Sequence, residues 1–429
     1  MKPCDPVCTI VGILDDGWAG LSDAARRRLA SADFVIGAGR TLALVRPRLA
    51  ADAEVRDMDG ALTQSPAWIE AALAADRHVA VLATGDPLCH GIAGYLIGKL
   101  GAARVEVLPA PSTLQIAMAR FRKTWQDVAS ASCHGKDAGE WRVGATPDHG
   151  LYPLMRAIAQ NRRVFVFTGP ENDPARLARA LIAASYGEDA KLSVACRLLL
   201  PDEAVFTDLA PADAANMIFP GPSGVFVERT EGQIFPAFGL EDAEYLQRAS
   251  EKGLITKQEV RALSLARLRL KPDAVVWDIG AGSGAVGLEA ARLAPQGHVW
   301  AIEKNADDAT NARANAAHWR VGNYTLVEGR APAFLDAWPD PDAVFVGGSG
   351  GDLAGLIRLS LRRLKPAGRL VMNFVTLENL ATATGTLAEL NTAWDVVQLQ
   401  ASRSQPILDM HRMAAQNPVW IVTARKENA

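Results

Sequence analysis

Apolar runs of about 5–7 residues alternate with amphipathic stretches of about 11–14 along almost the whole chain. "CTIVGIL" precedes "LSDAARRRLASA" and "DFVIGAG"; "HVAVLATG" leads into "CHGIAGYLIGKL" and then "ARVEVLP". After residue 112 the pattern resumes with "STLQIAMARF", "DVASASCHG", "RRVFVFTG", "PARLARALIAAS", "KLSVACRLLL" and "SGVFVER". Short, wholly apolar strands separated by helical stretches predict βαβ units and mostly parallel sheets. Residues 135–150, "GKDAGEWRVGATPDHG", are polar and turn-rich and predict a long surface loop.

Periodicity stops at residues 230–239, "TEGQIFPAFG", which read as a linker. A helical segment is expected over residues 240–270. From residue 275 to the end, strands and helices alternate and finish on two late strands, "WDVVQLQAS" and "NPVWIVTAR". That order predicts a doubly wound sheet with an extra pair at its edge. The expected organisation is an α/β domain over residues 1–229, in lobes of about 1–111 and 112–229, and a second α/β domain over 240–429. At 429 residues, more than one domain is required.

Composition narrows the class. Hydrophobic residues make up 49% and charged residues 22%, the balance of a globular protein with real cores. A formal net charge of −3 offers no general attraction for nucleic acid. Cys4 and Cys8 form a Cys-x3-Cys pair, but no further cysteine stands at ligand spacing. Reduced thiols in a cytoplasmic protein without a metal are therefore expected. No apolar run approaches the ~18 residues of a membrane span, and the first residues lack a signal-peptide pattern.

The sharpest motif is "VVWDIGAGSGAVGLEAARL", residues 275–293: an apolar strand, a glycine cluster and a helix. Gly280, Gly282 and Ala285 fit the dinucleotide fingerprint, with Glu303 at the end of the next strand to meet a ribose. Three features favour S-adenosylmethionine over NAD. Glycines alternate tightly at 280, 282 and 284, with Ala281 and Ser283 between, so backbone lies flat against a ligand. Asp278 would attract a methionine ammonium and repel a diphosphate. Finally, the sheet uses this whole half of the chain, leaving no separate domain for hydride chemistry.

The order "DIGAGSG" then "AIEKN" resembles class I S-adenosylmethionine methyltransferases, whose fold is Rossmann-like. The resemblance implies that Glu303 binds the ribose hydroxyls and that "EGRA", with Ala331, passes the adenine. In the first half, "VLATGDPLCHG" carries Gly85, Asp86 and Pro87, and "LPAPSTLQIAMARF" places Ser112 and Thr113 at a helix start. Their order resembles the tetrapyrrole methylases, a two-lobed fold that binds S-adenosylmethionine between its lobes. The chain opens with "VGILDDGWAGLS" where many of that family carry Gly-x-Gly-Pro-Gly, leaving Gly12 and Gly17 to make the turn. After the linker, "GLITKQEVRALSLARLRL", "FVGGSGG", "LKPAGRLVMNFVTLENL" and "NPVWIVTAR" resemble the decarboxylating precorrin methyltransferases of cobalamin synthesis.

The combined resemblance implies two S-adenosylmethionine sites, one per half, and a precorrin macrocycle methylated at two meso carbons, 5 and 15, with loss of carbon dioxide from the ring C acetate. It assigns Thr256, Gly280 to Gly284, Glu303 and Ala331 to the second methyl-donor site, and Gly85 to Pro87 with Ser112 and Thr113 to the first. Gly347, Gly348 and Gly350 follow a strand and would let the macrocycle approach, unless they form a plain turn. Lys257 and Arg261 are four residues apart on one helix face, and Arg403 and Arg412 flank an expected loop; all four suit substrate carboxylates. His134 and His411 are candidates for proton transfer. A homo-oligomer, with no nucleic-acid or membrane partner, is expected. Two alternatives stay open: a two-domain NAD enzyme, and a single-activity methyltransferase with an inactive N-terminal scaffold.

Overall fold

A computed structural model of the chain describes residues 7–230, 235–248, 255–348 and 350–427. Cys4 therefore lies outside the described residues, as does part of the linker. The chain divides into two compact units. The first comprises Met1–Asp137, Arg163–Ala178 and Lys191–Glu228; the second comprises Ala138–Arg162, Arg179–Ala190 and Arg229–Ala429.

Two five-stranded sheets belong to the first unit. One holds β1 (Cys8–Ile13), β2 (Phe34–Gly37), β3 (Glu54–Asp57), β4 (Val79–Thr84) and β5 (Val105–Leu108), in the order β3-β2-β4-β1-β5. Its pairings are parallel, as wholly apolar runs such as Cys8–Ile13 require. The other sheet is mixed: β6 (Ala129–Ser132), β7 (Arg163–Phe167), β8 (Ala190–Cys196), β9 (Ala204–Leu209) and β10 (Ser223–Arg229), in the order β6-β7-β10-β8-β9. β9, with every second residue exposed, gives no apolar run and was not expected. Cys8 is fully buried in β1, where burial pushes its thiol up to about 12 and keeps it protonated.

The second unit is organised by a seven-stranded sheet. Its strands are β11 (Val275–Ile279), β12 (His298–Glu303), β13 (Tyr324–Glu328), β14 (Ala343–Val346), β15 (Arg369–Phe374), β16 (Ala393–Leu399) and β19 (Val419–Arg425). The order is β13-β12-β11-β14-β15-β19-β16, parallel up to β15 and antiparallel for the last two, as the sequence pattern predicts. β17 (Ser402–Ile407) and β18 (Met410–Ala415) pair as a separate hairpin, so the expected loop around Arg403 and Arg412 is regular structure. Successive side chains supply two apolar layers. Val276, Val299, Ala301 and Phe345 enter one; Trp277, Trp300, Ile302 and Val344 enter the other. Each large side chain so buried stabilises the fold by roughly 1.5–3 kcal/mol.

One further expectation is corrected. The segment 240–270 is not one helix: a short 3-10 turn at Asp242–Glu244 precedes a helix confined to Gln258–Leu268. Glu241 and Glu244 cap that turn locally, and the Lys257 backbone is extended, which starts the helix anew. Residues 135–150 form no regular element and are mostly exposed, as expected of a surface loop, while Trp141 and Ala145 are buried and anchor it. Among the described residues no helix is long and apolar enough to cross a membrane.

Candidate active sites

In the second unit, the turn after β11 lies where the strand order reverses, with β12 on one side and β14 on the other. Open parallel sheets bind ligands at such a crevice beyond the strand carboxyl ends. Gly280, Gly282 and Gly284 all take left-handed backbone, at φ 73°, 56° and 81°. A Cβ on Gly280 would sit 2.6 Å from the Gly348 nitrogen, so the two glycine turns pack backbone to backbone. Glu303, almost buried, ends β12 and clamps the loop: one carboxylate oxygen accepts from Gly282 N–H at 2.8 Å, the other from Asn305 N–H at 2.9 Å. The resulting cleft, about 240 Å³, is lined by Gly280, Gly282, Glu303, Ala331, Gly347, Gly348 and Gly350 of the expected residues.

Other candidates fall elsewhere. Asp278 is buried beneath the helix Ala285–Leu293, against Gly287 and near Tyr324, and does not line the cleft. Burial, reinforced by the Glu303 charge and only partly relieved by the Gly287 N–H, raises its carboxyl to about 7. Ala281 and Gly284 close the turn, with Gly284 N–H donating to Ala281 C=O at 2.9 Å, and Ser283 is buried with its carbonyl accepting from Asn315 at 2.9 Å. Thr256 presents its carbonyl to Arg261 at 2.6 Å and likewise stays outside the cleft.

Arg261, expected to meet substrate, is fully buried. Its guanidinium pairs with Glu289 at 2.7 Å and Asp242 at 3.2 Å, donates to Leu240 C=O, and lies 5.1 Å from the Tyr245 ring centre. It is therefore a packing cation; Lys257, one turn earlier, precedes the helix and is half-buried. Arg403 is held by Glu259 at 2.6 Å and Asp242 at 3.0 Å, while Arg412 and His411 are exposed on β18. None of these five lines the cleft. The cations that do, Arg248, Lys304 and Arg330, were not read from sequence. Arg248 forms a two-point pair with Asp308, at 2.8 and 2.6 Å. Isolated surface basics carry no signal until the fold places them.

The first unit holds a larger cavity of about 430 Å³, lined among others by Asp86, Ser112, Thr113 and His134. Gly85 turns at φ 67° after β4, and a Cβ on Gly12 would lie 2.2 Å from its carbonyl, so Gly12 is needed for this close approach. Asp86 accepts from Leu88 N–H at 2.9 Å, and Pro87 follows without lining the cavity. The Ser112 hydroxyl is spent on a capping box with Gln115, leaving Thr113 as the available hydroxyl. His134 Nδ1 bonds the Ser132 hydroxyl. Two titratable lining residues not read from sequence are Arg40, which pairs with Asp15 and donates to Thr84 at 3.2 Å, and His90. His90 has left-handed backbone, contacts Ser130 at 3.1 Å, and is kept below the usual histidine range by burial and by His134.

Family models agree with this division of labour. One described as tetrapyrrole (corrin/porphyrin) methylases matches residues 7–212, and one described as a precorrin methyltransferase domain matches residues 248–426. A precorrin-6Y C(5,15)-methyltransferase [decarboxylating] from Sinorhizobium sp is 33% identical over 94% of this chain and 92% of its own. Its Mycobacterium tuberculosis counterpart is 30% identical over 97% of this chain and 99% of its own. A cobalt-precorrin-6B C(15)-methyltransferase (decarboxylating) from Salmonella typhimurium is 40% identical over 40% of this chain and 90% of its own. A crystal structure of precorrin-6Y C5,15-methyltransferase from Geobacter metallireducens, 42% identical, covers 45% of this chain and all (100%) of its own, with a TM-score of 0.43. With methyltransferases matching end to end, the nicotinamide alternative is not favoured. The chain belongs to the precorrin-6Y C(5,15)-methyltransferase (decarboxylating) family, with a tetrapyrrole methylase region ahead of a precorrin methyltransferase region.

Proposed function

We propose that this chain methylates a precorrin macrocycle at carbons 5 and 15 and decarboxylates its ring C acetate, using S-adenosylmethionine bound once in each half, in the cytoplasm. The observation that carries the reading is the near-full-length likeness to relatives of that name, joined to two clefts on two differently built sheets. The domains follow as 1–229 for carbon 5 and 240–429 for carbon 15 with decarboxylation. S-adenosylmethionine supplies an electrophilic sulfonium methyl.

The residues suit that ligand. Glu303 spends one lone pair of each oxygen on the loop and retains others for two ribose hydroxyls. The paired glycine turns let an adenosyl group lie against backbone. In the first unit, Asp86 of the Gly85–Pro87 turn and Thr113, both lining the cavity, hold the donor. Asp278 supports the loop from beneath instead of touching the methionine ammonium. Each methylation exchanges a meso hydrogen for a methyl, so a proton must leave; His134, with Nδ1 occupied by Ser132, keeps Nε2 for such transfer at the first site. Decarboxylation breaks a carbon–carbon bond and releases carbon dioxide; the conjugated ring takes the electron pair, and a proton then adds to the side-chain carbon to leave a methyl group. The protein's task there is orientation. Lys304, Arg330 and Arg248 are nearest for substrate carboxylates; Lys257, Arg403, Arg412 and His411 would have to contribute from outside the cleft.

Calorimetric titration of S-adenosylmethionine, with NAD as control, tests this. Two sites per chain are expected, and Glu303→Ala should abolish one and spare the other. A single site would remove the first half's assignment, and NAD binding in place of S-adenosylmethionine would overturn the whole reading.

A further inference from the structure

The second unit carries a basic cleft at the opposite ends of its strands from the glycine turns. It opens where β11, β14 and β15 begin and β19 ends, with a volume of about 530 Å³. Five cations line it, Arg269, Lys271, Arg369, Arg425 and Lys426, against two carboxylates, Asp342 and Glu427. Asp342 is already engaged, by Lys365 at 2.8 Å and Val275 N–H at 2.8 Å. Asp395, beyond the rim, is shared between Arg267 and Arg425. Lys426 donates to the Arg362 and Leu364 carbonyls at 2.9 and 2.5 Å. Among the described residues, Arg269, Lys271 and Arg369 have no ion-pair partner.

These cations are held in place by the fold. Arg369 starts β15 and is paired in register with Arg425 at the end of β19. Arg269 ends the helix Gln258–Leu268 in left-handed backbone, at φ 48°, a conformation that an L side chain adopts at a cost. Burial and the neighbouring Arg425 and Arg269 charges lower the Arg369 pKa, and Asp395 offsets this only in part, the sign of like charges crowded together. A concave surface that concentrates one sign of charge on rigid strand ends raises the local concentration of opposite ions.

We infer that this cleft is a second ligand site, distinct from the methyl-donor cleft, that binds a small multivalent oxyanion carrying clustered carboxylate or phosphate groups through Arg269, Lys271 and Arg369. Planar guanidiniums take such groups in two-point contacts, and the ammonium adds a mobile third charge.

The test uses the full chain and two probes, citrate and pyrophosphate, each against sodium chloride at matched ionic strength. A saturable rise in Tm of roughly 2–4 °C is expected at low millimolar probe. Citrate alone acting assigns carboxylates, pyrophosphate alone assigns phosphates, and both together assign clustered negative charge. Arg369→Gln should abolish the rise. Because Arg369 is partly buried, the exposed pair Arg269→Gln with Lys271→Gln provides the second variant, and it too should lose the response. A Tm that only follows ionic strength, or a response that survives in the exposed double variant, overturns the site.

Discussion

Single residues in this chain are governed by what surrounds them more than by what they are. Asp278 is the second-last residue of the apolar strand β11 and is buried, with neither oxygen in a hydrogen bond of normal geometry. Its folded pKa, about 7, lies above the ~3.9 of an unfolded aspartate. The protonated form is therefore the one that the fold favours. Its contribution is complete below about pH 4 and is lost as pH rises through about 7. Asp278→Asn should flatten that slope: unfolding free energies from urea titration should match the parent near pH 3.5 and exceed it near pH 8, by roughly 1–4 kcal/mol. A variant less stable than the parent at both pH values would contradict it. Arg261 makes the complementary case. Cutting a buried, paired guanidinium to alanine leaves Glu289 unpaired and should cost about 3–5 kcal/mol in unfolding free energy. Loss of macrocycle affinity without loss of stability would return Arg261 to a substrate role.

At the scale of elements, the two glycine turns act as one piece. Gly280→Ala would force a side chain into left-handed backbone and into the Gly348 peptide. The conformation alone costs about 1–3 kcal/mol, so S-adenosylmethionine binding in the second half should fall at least tenfold. Gly348→Ala makes a sharp control, because its Cβ would meet nothing closer than the Gly280 Cα at 4.0 Å. Its Tm should stay near the parent's, while any effect on binding comes from narrowing the cleft. Equal destabilisation by both substitutions would refute the coupling. Glu303 joins the same assembly, since its carboxylate spans the loop after β11 and the start of the next helix.

At the scale of the molecule, the second unit is made of chain from both sides of the linker. Tyr152 O–H donates to His298 Nδ1 at 2.7 Å, His298 Nε2–H to Thr325 Oγ1 at 2.9 Å, and Thr325 O–H to Gly144 C=O at 3.0 Å. The last bond makes His298 Nε2 the donor to Thr325, and burial beside Arg156 keeps the ring neutral, leaving Nδ1 to accept from Tyr152. Gln160 and Arg156 donate to Pro295 C=O, and Arg320 pairs with Asp189. If residues 231–234 are exchanged for a protease site and the folded chain is cut, the two fragments should co-elute at pH 7.5. Burial and the Arg156 charge hold His298 at about 3, below the ~6.5 of an unfolded histidine. Its contribution is thus complete above about pH 6.5 and is lost as pH falls towards about 3. Acid should separate the fragments, and Tyr152→Phe, which orphans a buried nitrogen at a cost of about 1–3 kcal/mol, should separate them at higher pH. Fragments that part freely at pH 7.5 would refute this account.

Strand–helix alternation, the doubly wound order after residue 275 and both glycine turns were legible because they depend on local chemistry. Apolar runs must be buried, and a glycine is needed wherever backbone turns left-handed or approaches another backbone. Gly280 and Gly282 reached their cleft for that reason, and Asp86 and Glu303 came to theirs because each ends or closely follows an apolar strand. Charged side chains obey no such local rule. Arg261 went to the interior and Asp278 beneath a helix, while Arg248, Arg330 and Arg40 arrived at clefts unannounced. The amino-acid sequence by itself determined most of the elements, their order and the glycine turns. Only the tertiary structure decided which charges are buried, which line a cleft, and that residues 138–162 belong with the second unit, because those outcomes depend on neighbours far away along the chain.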